Sequence, residues 1–368
     1  MILMNDFKAE PSALKEAMLA GAQRVINSGW YVLGPEVQAF ERQWAERCGT
    51  RHCVGVGNGM DAIELALRAL DIGPGDEVIT TPMTAFATVL AIVRAGAIPV
   101  LADIEPTTAL LSPDSVQRCL TPRTRAVLLV HLYGQALGME RWQALCSDSG
   151  IALVEDCAQA HLARWNRKPA GSFGRAAAWS FYPTKNLGAL GDGGALVTDD
   201  DALATRVARL RNYGQSERYH HPELGMNSRL DELQAALLVE RLRWLDDYTV
   251  RRREISTLYD HSIRNPRVGL LAIPQQAESH VHHLYVLTCD ARAALIAHLN
   301  NYGVQSLIHY PVPIHRQAPF TDLARDPWGL THTEEHASAC LSIPCHPQMS
   351  EADVATVIDA VNSFAASF

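Results

Sequence analysis

From Val54 to Asp199 the chain alternates short runs of β-branched residues with stretches of helical length, and this rhythm limits the available folds more than any other feature. Val54-Gly55-Val56 precedes a helical stretch from Asp61 to Leu70, Val78-Ile79 precedes Thr84 to Ala95, and Val100-Leu101 precedes Pro113 to Cys119. The series continues with Ala126 to Leu132, Met139 to Asp148, Ile151 to Glu155, Ala176 to Phe181 and Ala195 to Thr198. Strands separated in this way by helices predict a mostly parallel sheet covered by helices. Helices then dominate to about Arg264. A strand at Leu284 to Thr288, a helix from Ala291 to Asn300, a strand at Gln305 to His309 and a last helix from Ser350 to Ser363 read as a smaller α+β lobe. At 368 residues the chain exceeds what one compact core usually holds. We therefore expect an α/β protein with a large domain over residues 1–250, including an N-terminal helical segment, and a small C-terminal α+β domain over residues 251–368.

In parallel α/β sheets ligands bind at the carboxyl ends of the strands, so the residues just after each strand carry the chemistry. Asn58-Gly59-Met60 follows the first strand and opens a helix. A helix amino end offers free N–H groups and a positive dipole end, which suits a phosphate, although Asn is also an ordinary cap and Asn-Gly an ordinary turn. In Val154-Glu155-Asp156-Cys157 an apolar strand runs straight into two carboxylates. A carboxylate there is costly unless a metal, an arginine or a protonated heterocycle pairs with it, or unless it caps a helix. Gly225-Met226-Asn227-Ser228-Arg229-Leu230-Asp231-Glu232 is a polar cluster ahead of a long amphipathic helix, with no evident local role beyond a cap and loop.

Composition sharpens one of these sites. Only Lys8, Lys15, Lys168 and Lys185 are lysines, while the other 28 basic residues are arginine. Lys8 and Lys15 lie in the N-terminal approach, and Lys168 sits in a polar segment that reads as a turn. Lys185 lies between Ser180-Phe181-Tyr182-Pro183 and the glycine-rich run Gly188 to Gly194. Burial lowers a lysine's pKa and makes its amine nucleophilic near neutral pH, which arginine cannot match. Pyridoxal 5′-phosphate needs a lysine for an imine, an acid for its pyridinium nitrogen and a phosphate cradle, and Lys185, Asp156 and Asn58-Gly59-Met60 supply one of each.

The net charge of −8 without basic runs argues against nucleic acid and anionic membrane as partners. The start of the chain lacks the apolar core of a signal peptide, and no apolar stretch reaches membrane-spanning length. The eight cysteines contain no C-x-x-C pair, which points to free thiols and a cytoplasmic location, and no metal site is expected.

Several segments together resemble the DegT/DnrJ/EryC1/StrS sugar aminotransferases. These are Gly34-Pro35-Glu36-Val37, Asn58-Gly59 with Asp61-Ala62, His131-Leu132-Tyr133-Gly134-Gln135, Glu155-Asp156 with Ala158-Gln159-Ala160-His161, Ser180-Phe181-Tyr182-Pro183 with Lys185, Gly191-Asp192-Gly193-Gly194, Asn227-Ser228-Arg229-Leu230-Asp231-Glu232 and Ile308-His309-Tyr310-Pro311. The resemblance implies the type I fold of pyridoxal-phosphate enzymes and a homodimer with active sites shared across the interface. It implies Lys185 as the imine-forming lysine and proton shuttle, Asp156 as the partner of the pyridinium nitrogen, and Gln159 as donor to the ring oxygen. Gly59, Met60 and Ser180 would hold the phosphate, with Asn227 reaching it from the other subunit. Relatives carry Thr followed by an aromatic that stacks on the cofactor. Here Thr84-Ala85-Phe86-Ala87-Thr88 puts Ala85 in that slot and shifts Phe86, the stacking candidate, by one. Leu162-Ala163 stands where Gly-Ala is usual.

The implied reaction moves an amino group from L-glutamate, by way of pyridoxamine phosphate, to a dTDP- or UDP-linked keto-deoxysugar at carbon 3, in aminosugar or glycan biosynthesis. Tyr182, Arg229, His309, Tyr310 and His315 are the candidate substrate contacts. The alternatives are a cyclitol (inosose) aminotransferase and a cofactor-binding regulator without turnover.

Overall fold

The protein is described by a computed structural model over residues 1–365. Its first helices are α1 (Ser12–Ser28) and α2 (Pro35–Cys48). Pro35 stands at the first turn of α2, where a missing N–H costs nothing. The remaining amides there are capped from a distance: the buried Glu232 carboxylate accepts from Gly34 N, Val37 N and Glu36 N at 2.8, 2.9 and 2.9 Å.

The alternating region then follows as β1 (His52–Val56), α3 (Gly59–Ala69), β2 (Glu77–Thr80), α4 (Phe86–Arg94), β3 (Ile98–Leu101), α5 (Pro113–Cys119), β4 (Thr124–Val130), α6 (Met139–Asp148) and β5 (Ala152–Asp156). A small hairpin, β6 (Arg164–Trp165) with β7 (Lys168–Pro169), precedes β8 (Ala176–Ser180) and β9 (Gly194–Thr198). Next come α7 (Asp201–Leu210), α8 (Glu232–Leu242) and α9 (Leu245–Ser262). The last part holds β10 (Gly269–Leu270), β11 (Tyr285–Thr288), α10 (Arg292–Asn301), β12 (Ala324–Arg325), α11 (Thr331–Ala339), β13 (Cys340–Ile343) and α12 (Glu351–Asn362).

Eight strands form one sheet in the order β1-β9-β8-β5-β4-β2-β3-β12. Only β9 runs against the others. Both faces are buried, and the pleat sorts the residues between them. Ala126 and Leu128 of β4 pack with α3, α4 and α7, whereas Val127 and Leu129 pack with α2, α5, α6 and α8. The same alternation sends Glu155 and Asp156 to opposite faces.

The second core gathers α9, α10 and α12 around the three-stranded antiparallel sheet β10-β11-β13. Two segments of the chain cross between these bodies. Ile2 forms a parallel bridge with Val304, and β12 pairs with β3 at the edge of the large sheet. The stretch from Gln305 to His309, read as a strand, makes only one bridge, between Leu307 and Ser342. Pro311 and Pro313 just beyond it lack the N–H groups that would extend a ladder. The stretch thus lies along the open edge of β13, whose other edge pairs with β11 over four residues.

Candidate active site

The parallel strands bring their carboxyl ends to one edge of the sheet. Asp156 is the last residue of β5, Ser180 the last of β8, and His131 follows β4. Asp156 is a strand-end position that the sequence singled out, while Ser180 and His131 lie in segments that carry the family resemblance.

Asp156 is buried and faces α4. Its Oδ1 accepts from Ala158 N at 3.1 Å and its Oδ2 from the Thr88 hydroxyl at 2.9 Å. Burial raises its pKa, and the two donors and the Lys185 charge act against that rise. A buried carboxylate held by donors and a nearby cation suits a protonated ring nitrogen.

Lys185 sits in the loop between β8 and β9, its backbone N–H donating to Tyr182 O at 2.8 Å. The residue keeps part of its surface open, yet its amine is desolvated, and burial lowers its pKa to about 8 against the pull of Asp156. Among the described residues nothing hydrogen bonds to this amine. A substantial minority of the Lys185 amine is therefore neutral near physiological pH, ready to add to a carbonyl and to take or release a proton.

Around it stand three histidines that stay neutral. His161 is driven to about 3 and His309 to about 4, in each case mainly by burial and then by the Lys185 charge. His283 is lowered for the same reasons, and its Nδ1 lies 3.2 Å from Asn186 Oδ1. His161 donates through Nε2 to the Ser180 carbonyl at 3.1 Å and packs against Trp44, Trp179 and Phe181.

The start of α3 forms the cradle. The Asn58 side chain accepts from Asp61 N at 2.8 Å and Ala62 N reaches Asn58 O, so Gly59 and Met60 keep the first-turn amides that no cap serves. A Cβ on Gly59 would lie 2.7 Å from Ser180 Cβ, and one on Gly194 only 2.3 Å from the Asn58 carbonyl carbon. Glycine at both positions lets the helix start, Ser180 and the beginning of β9 converge. Two amides and a hydroxyl at a helix amino end fit a phosphate.

Gln159 is fixed on one side, its Oε1 accepting from Tyr133 N at 2.6 Å. Its Nε2 donates to Tyr310 Oη at 3.3 Å and keeps a second N–H for a ligand oxygen. Tyr310 is held protonated, its pKa raised to about 12 by burial. His309 contacts Ser342 Oγ at 2.9 Å and, with Thr184, His283 and Arg252, lines a cavity of about 80 Å³ beside the lysine loop.

The other candidates lie elsewhere. Phe86 stacks on Phe320 with ring centroids 5.0 Å apart. It is two residues from Thr88, roughly 200° around the helix, so it points away from Asp156, and Ala85 shares the Thr88 side. His315 is buried against Glu334, 2.9 Å from its Oε1. Tyr182 and Asn227 are exposed, and Arg229 is tied to Asn212 at 2.9 Å and lies over the Tyr213 ring. Three polar residues beside Asp156 and Gln159, namely Thr84, Thr88 and Tyr133, stand in segments that carry the family resemblance but had been given no role there. Thr84 and Thr88 stand one helical turn apart, a spacing that could have marked them.

Glu155 serves the fold. Its Oε1 accepts from Phe173 N and Gly174 N and its Oε2 from Gly171 N, each at 2.8 Å, and His131 Nε2 lies 2.9 Å from Oε2. His131, Glu155 and Cys157 bring possible metal ligands together, yet four donors already occupy this carboxylate. All eight cysteines are free, and no helix of the described residues is long and apolar enough to cross a membrane.

Comparison with known proteins follows this geometry. The profile of the DegT/DnrJ/EryC1/StrS aminotransferase family matches residues 12–362. The chain is 46% identical over 346 residues, 94% of each protein, to the erythromycin biosynthesis sensory transduction protein EryC1 of Saccharopolyspora erythraea. It is 45% identical, over 93% of each, to dTDP-3-amino-3,6-dideoxy-alpha-D-galactopyranose transaminase of Aneurinibacillus thermoaerophilus. The crystal structure of S. venezuelae DesV superposes with a TM-score of 0.94 at 42% identity, covering 98% of this chain and 97% of that one.

Proposed function

The chain belongs to the DegT/DnrJ/EryC1/StrS family of pyridoxal-phosphate-dependent transaminases, and on that premise we propose that it moves an amino group from L-glutamate to carbon 3 of a dTDP-linked keto-deoxysugar. The observation that carries the reading is Lys185: a desolvated amine without a hydrogen-bond partner, its pKa lowered to about 8, beside a buried acid. The transaminases of A. thermoaerophilus and of Streptomyces venezuelae, 45% and 43% identical, carry dTDP-3-amino sugars in their names, which favours dTDP and carbon 3.

Pyridoxal phosphate, when bound, supplies an electrophilic carbonyl and a ring that takes up electrons from the substrate carbon. Asp156 would hold the ring nitrogen, Gln159 the ring oxygen, and Gly59, Met60 and Ser180 the phosphate. Lys185 moves the proton, its lowered pKa letting it serve as base and then as acid without a change of residue. The neutral His161, His283 and His309 crowd the amine without adding charge, which keeps it from being protonated outright. His309 and Tyr310 line the side open to the sugar.

We further propose that a second copy completes the site. Val32 bridges Asp231, Leu190 N reaches Gln234 Oε1 and Arg229 lies over Tyr213, so Trp30, Tyr31, Val32, Tyr213 and Leu190 form one exposed apolar rim around Asn227 and Arg229. A rim of this composition suits burial against a partner.

Spectra test the reading. The protein incubated with pyridoxal 5′-phosphate is expected to turn yellow, bleach with L-glutamate and recover with a dTDP-linked 3-keto-6-deoxyhexose. Recovery with free inosose and no nucleotide sugar overturns the substrate. The name of the 46% identical EryC1 protein raises a second reading, a sensory role, and a bound cofactor that L-glutamate leaves unchanged would support it.

A further inference from the structure

Asp156 owes its orientation to a short string of hydroxyls, Thr88 and Thr84, at the start of α4. Thr88 Oγ1 lies 2.9 Å from Asp156 Oδ2, and Thr84 Oγ1 lies 2.9 Å from Thr88 Oγ1. All three residues are buried. Thr88 sits in the first turn of α4 and Thr84 just ahead of its N-cap Ala85, and the contact between their hydroxyls puts both on one side. An ionised carboxylate only accepts, so the single Thr88 proton is committed to Asp156. The Thr88 oxygen is then free to accept, and Thr84 must be its donor. The string has one direction while Asp156 is charged, and each bond polarises the next.

We propose that Thr88, oriented by Thr84, is a positioning residue that aims the Asp156 carboxylate at the reacting group in the cleft. The Ala158 amide holds Oδ1 from the loop that follows β5, and Thr88 holds Oδ2 from α4. With one bond taken on each oxygen, the plane of the carboxylate is set from two elements at once. The charged or titratable groups that act on Asp156 are Lys185 from the β8–β9 loop and His131 after β4, and Asp156 in turn acts on Cys157 next along the chain and on Tyr310 from the small lobe. None of these supplies a hydrogen bond to its carboxylate. Loss of the Thr88 donor therefore falls on the carboxylate without a substitute, and a charged form deprived of a donor titrates at higher pH.

The inference rests on the reading of Asp156 as partner of the cofactor's ring, so its first test uses the full-length protein free of cofactor. The carboxyl stretch of Asp156, identified by its absence in Asp156→Asn, is followed with pH by infrared spectroscopy. Thr88→Val, which keeps the shape and removes the hydroxyl, is expected to raise the midpoint by about one unit, a tenfold change in proton affinity. Thr88→Ser, which keeps the hydroxyl, is expected to stay near wild type, and Thr84→Val to shift in the same direction by less. In protein that takes up pyridoxal phosphate, Thr88→Val should also weaken cofactor binding about tenfold, and Thr88→Ser should restore it. A Thr88→Val midpoint equal to wild type, or a Thr88→Ser shift as large as that of Thr88→Val, overturns the proposal. If Thr88→Val does not fold, Thr84→Val decides alone, and an unshifted midpoint overturns it. Wild type that binds no pyridoxal phosphate sinks the functional reading, while the infrared titration still judges Thr88.

Discussion

The floor of the cleft and its rim are built on different terms. On the floor the groups that surround the free Lys185 amine are held within the chain: Asp156 by Thr88 and Ala158, Gln159 by Tyr133, and Ser180 by His161 through its carbonyl. On the rim Tyr182, Asn227 and Leu190 face solvent, and the Asn227 side chain finds no partner among the described residues. A buried site must satisfy its own hydrogen bonds, because an orphaned polar group there costs ~1–3 kcal/mol. An exposed one has no such obligation, and its residues are free to serve another chain. The contrast is the one expected if the chemistry belongs to one chain and its completion to a second, as proposed above.

The predictions are ordered by expected effect. Lys185→Ala strikes the floor at its center and is expected to slow the half-reaction with L-glutamate by ~10³-fold or more, with the fold kept, as read by single-turnover absorbance and circular dichroism. An unchanged rate in that variant removes the floor from the account.

Glu155→Gln separates two neighbours on one strand. Glu155 lies on the face away from the cleft and accepts from four donors, so the amide, which must turn one N–H toward a donor, is expected to cost ~2–4 kcal/mol in denaturant melts. The folded-state pKa of Glu155 is lowered by His131 and the loop amides against burial. Its contribution is therefore present above the unfolded carboxylate pKa and fades as pH falls through the folded value. A variant that melts normally but loses cofactor would place Glu155 in the cleft instead.

Asn227→Ala touches only the rim and is expected to weaken cofactor binding by ~10-fold while leaving the melting temperature alone. A loss of stability would instead mark Asn227 as part of its own chain's core.

The smallest effect is the pH profile. The Lys185 amine works when neutral, and with its pKa lowered to about 8 the rate of the L-glutamate half-reaction should climb through about pH 8 and level above it. A profile flat from pH 6 to pH 10 would show an amine far from that value.

How much of this was legible in the sequence depends on how local each feature is. The alternation of strands and helices is a local pattern, and it yields the mostly parallel sheet apart from β12, a two-residue strand that joins β3 from the C-terminal part of the chain. Lys185 stood out because lysine is scarce here and its neighbours are apolar or glycine. Asp156 stood out because a strand ends on it, but which of two adjacent carboxylates faces the cleft is a matter of pleat and register. Contacts between distant residues left no trace. Glu232 caps α2 from almost two hundred residues away, and Gln159 meets Tyr310 across the two cores. The direction of Phe86 was open because it hung on where α4 starts. With Ala85 as the N-cap, Phe86 turns to Phe320.

A mixture of Lys185→Ala and Asn227→Ala chains tests the central claim most directly. If floor and rim come from different copies, each mixed dimer holds one site with both residues intact. With pyridoxal phosphate held near the wild-type Kd, where Asn227→Ala is largely unloaded and Lys185→Ala inactive, co-refolding the two proteins should then add about a quarter of wild-type activity, since half of the dimers are mixed and half of their sites are whole. If floor and rim belong to the same chain, no site in any dimer is whole, and activity that stays at the sum of the two parents would contradict the account.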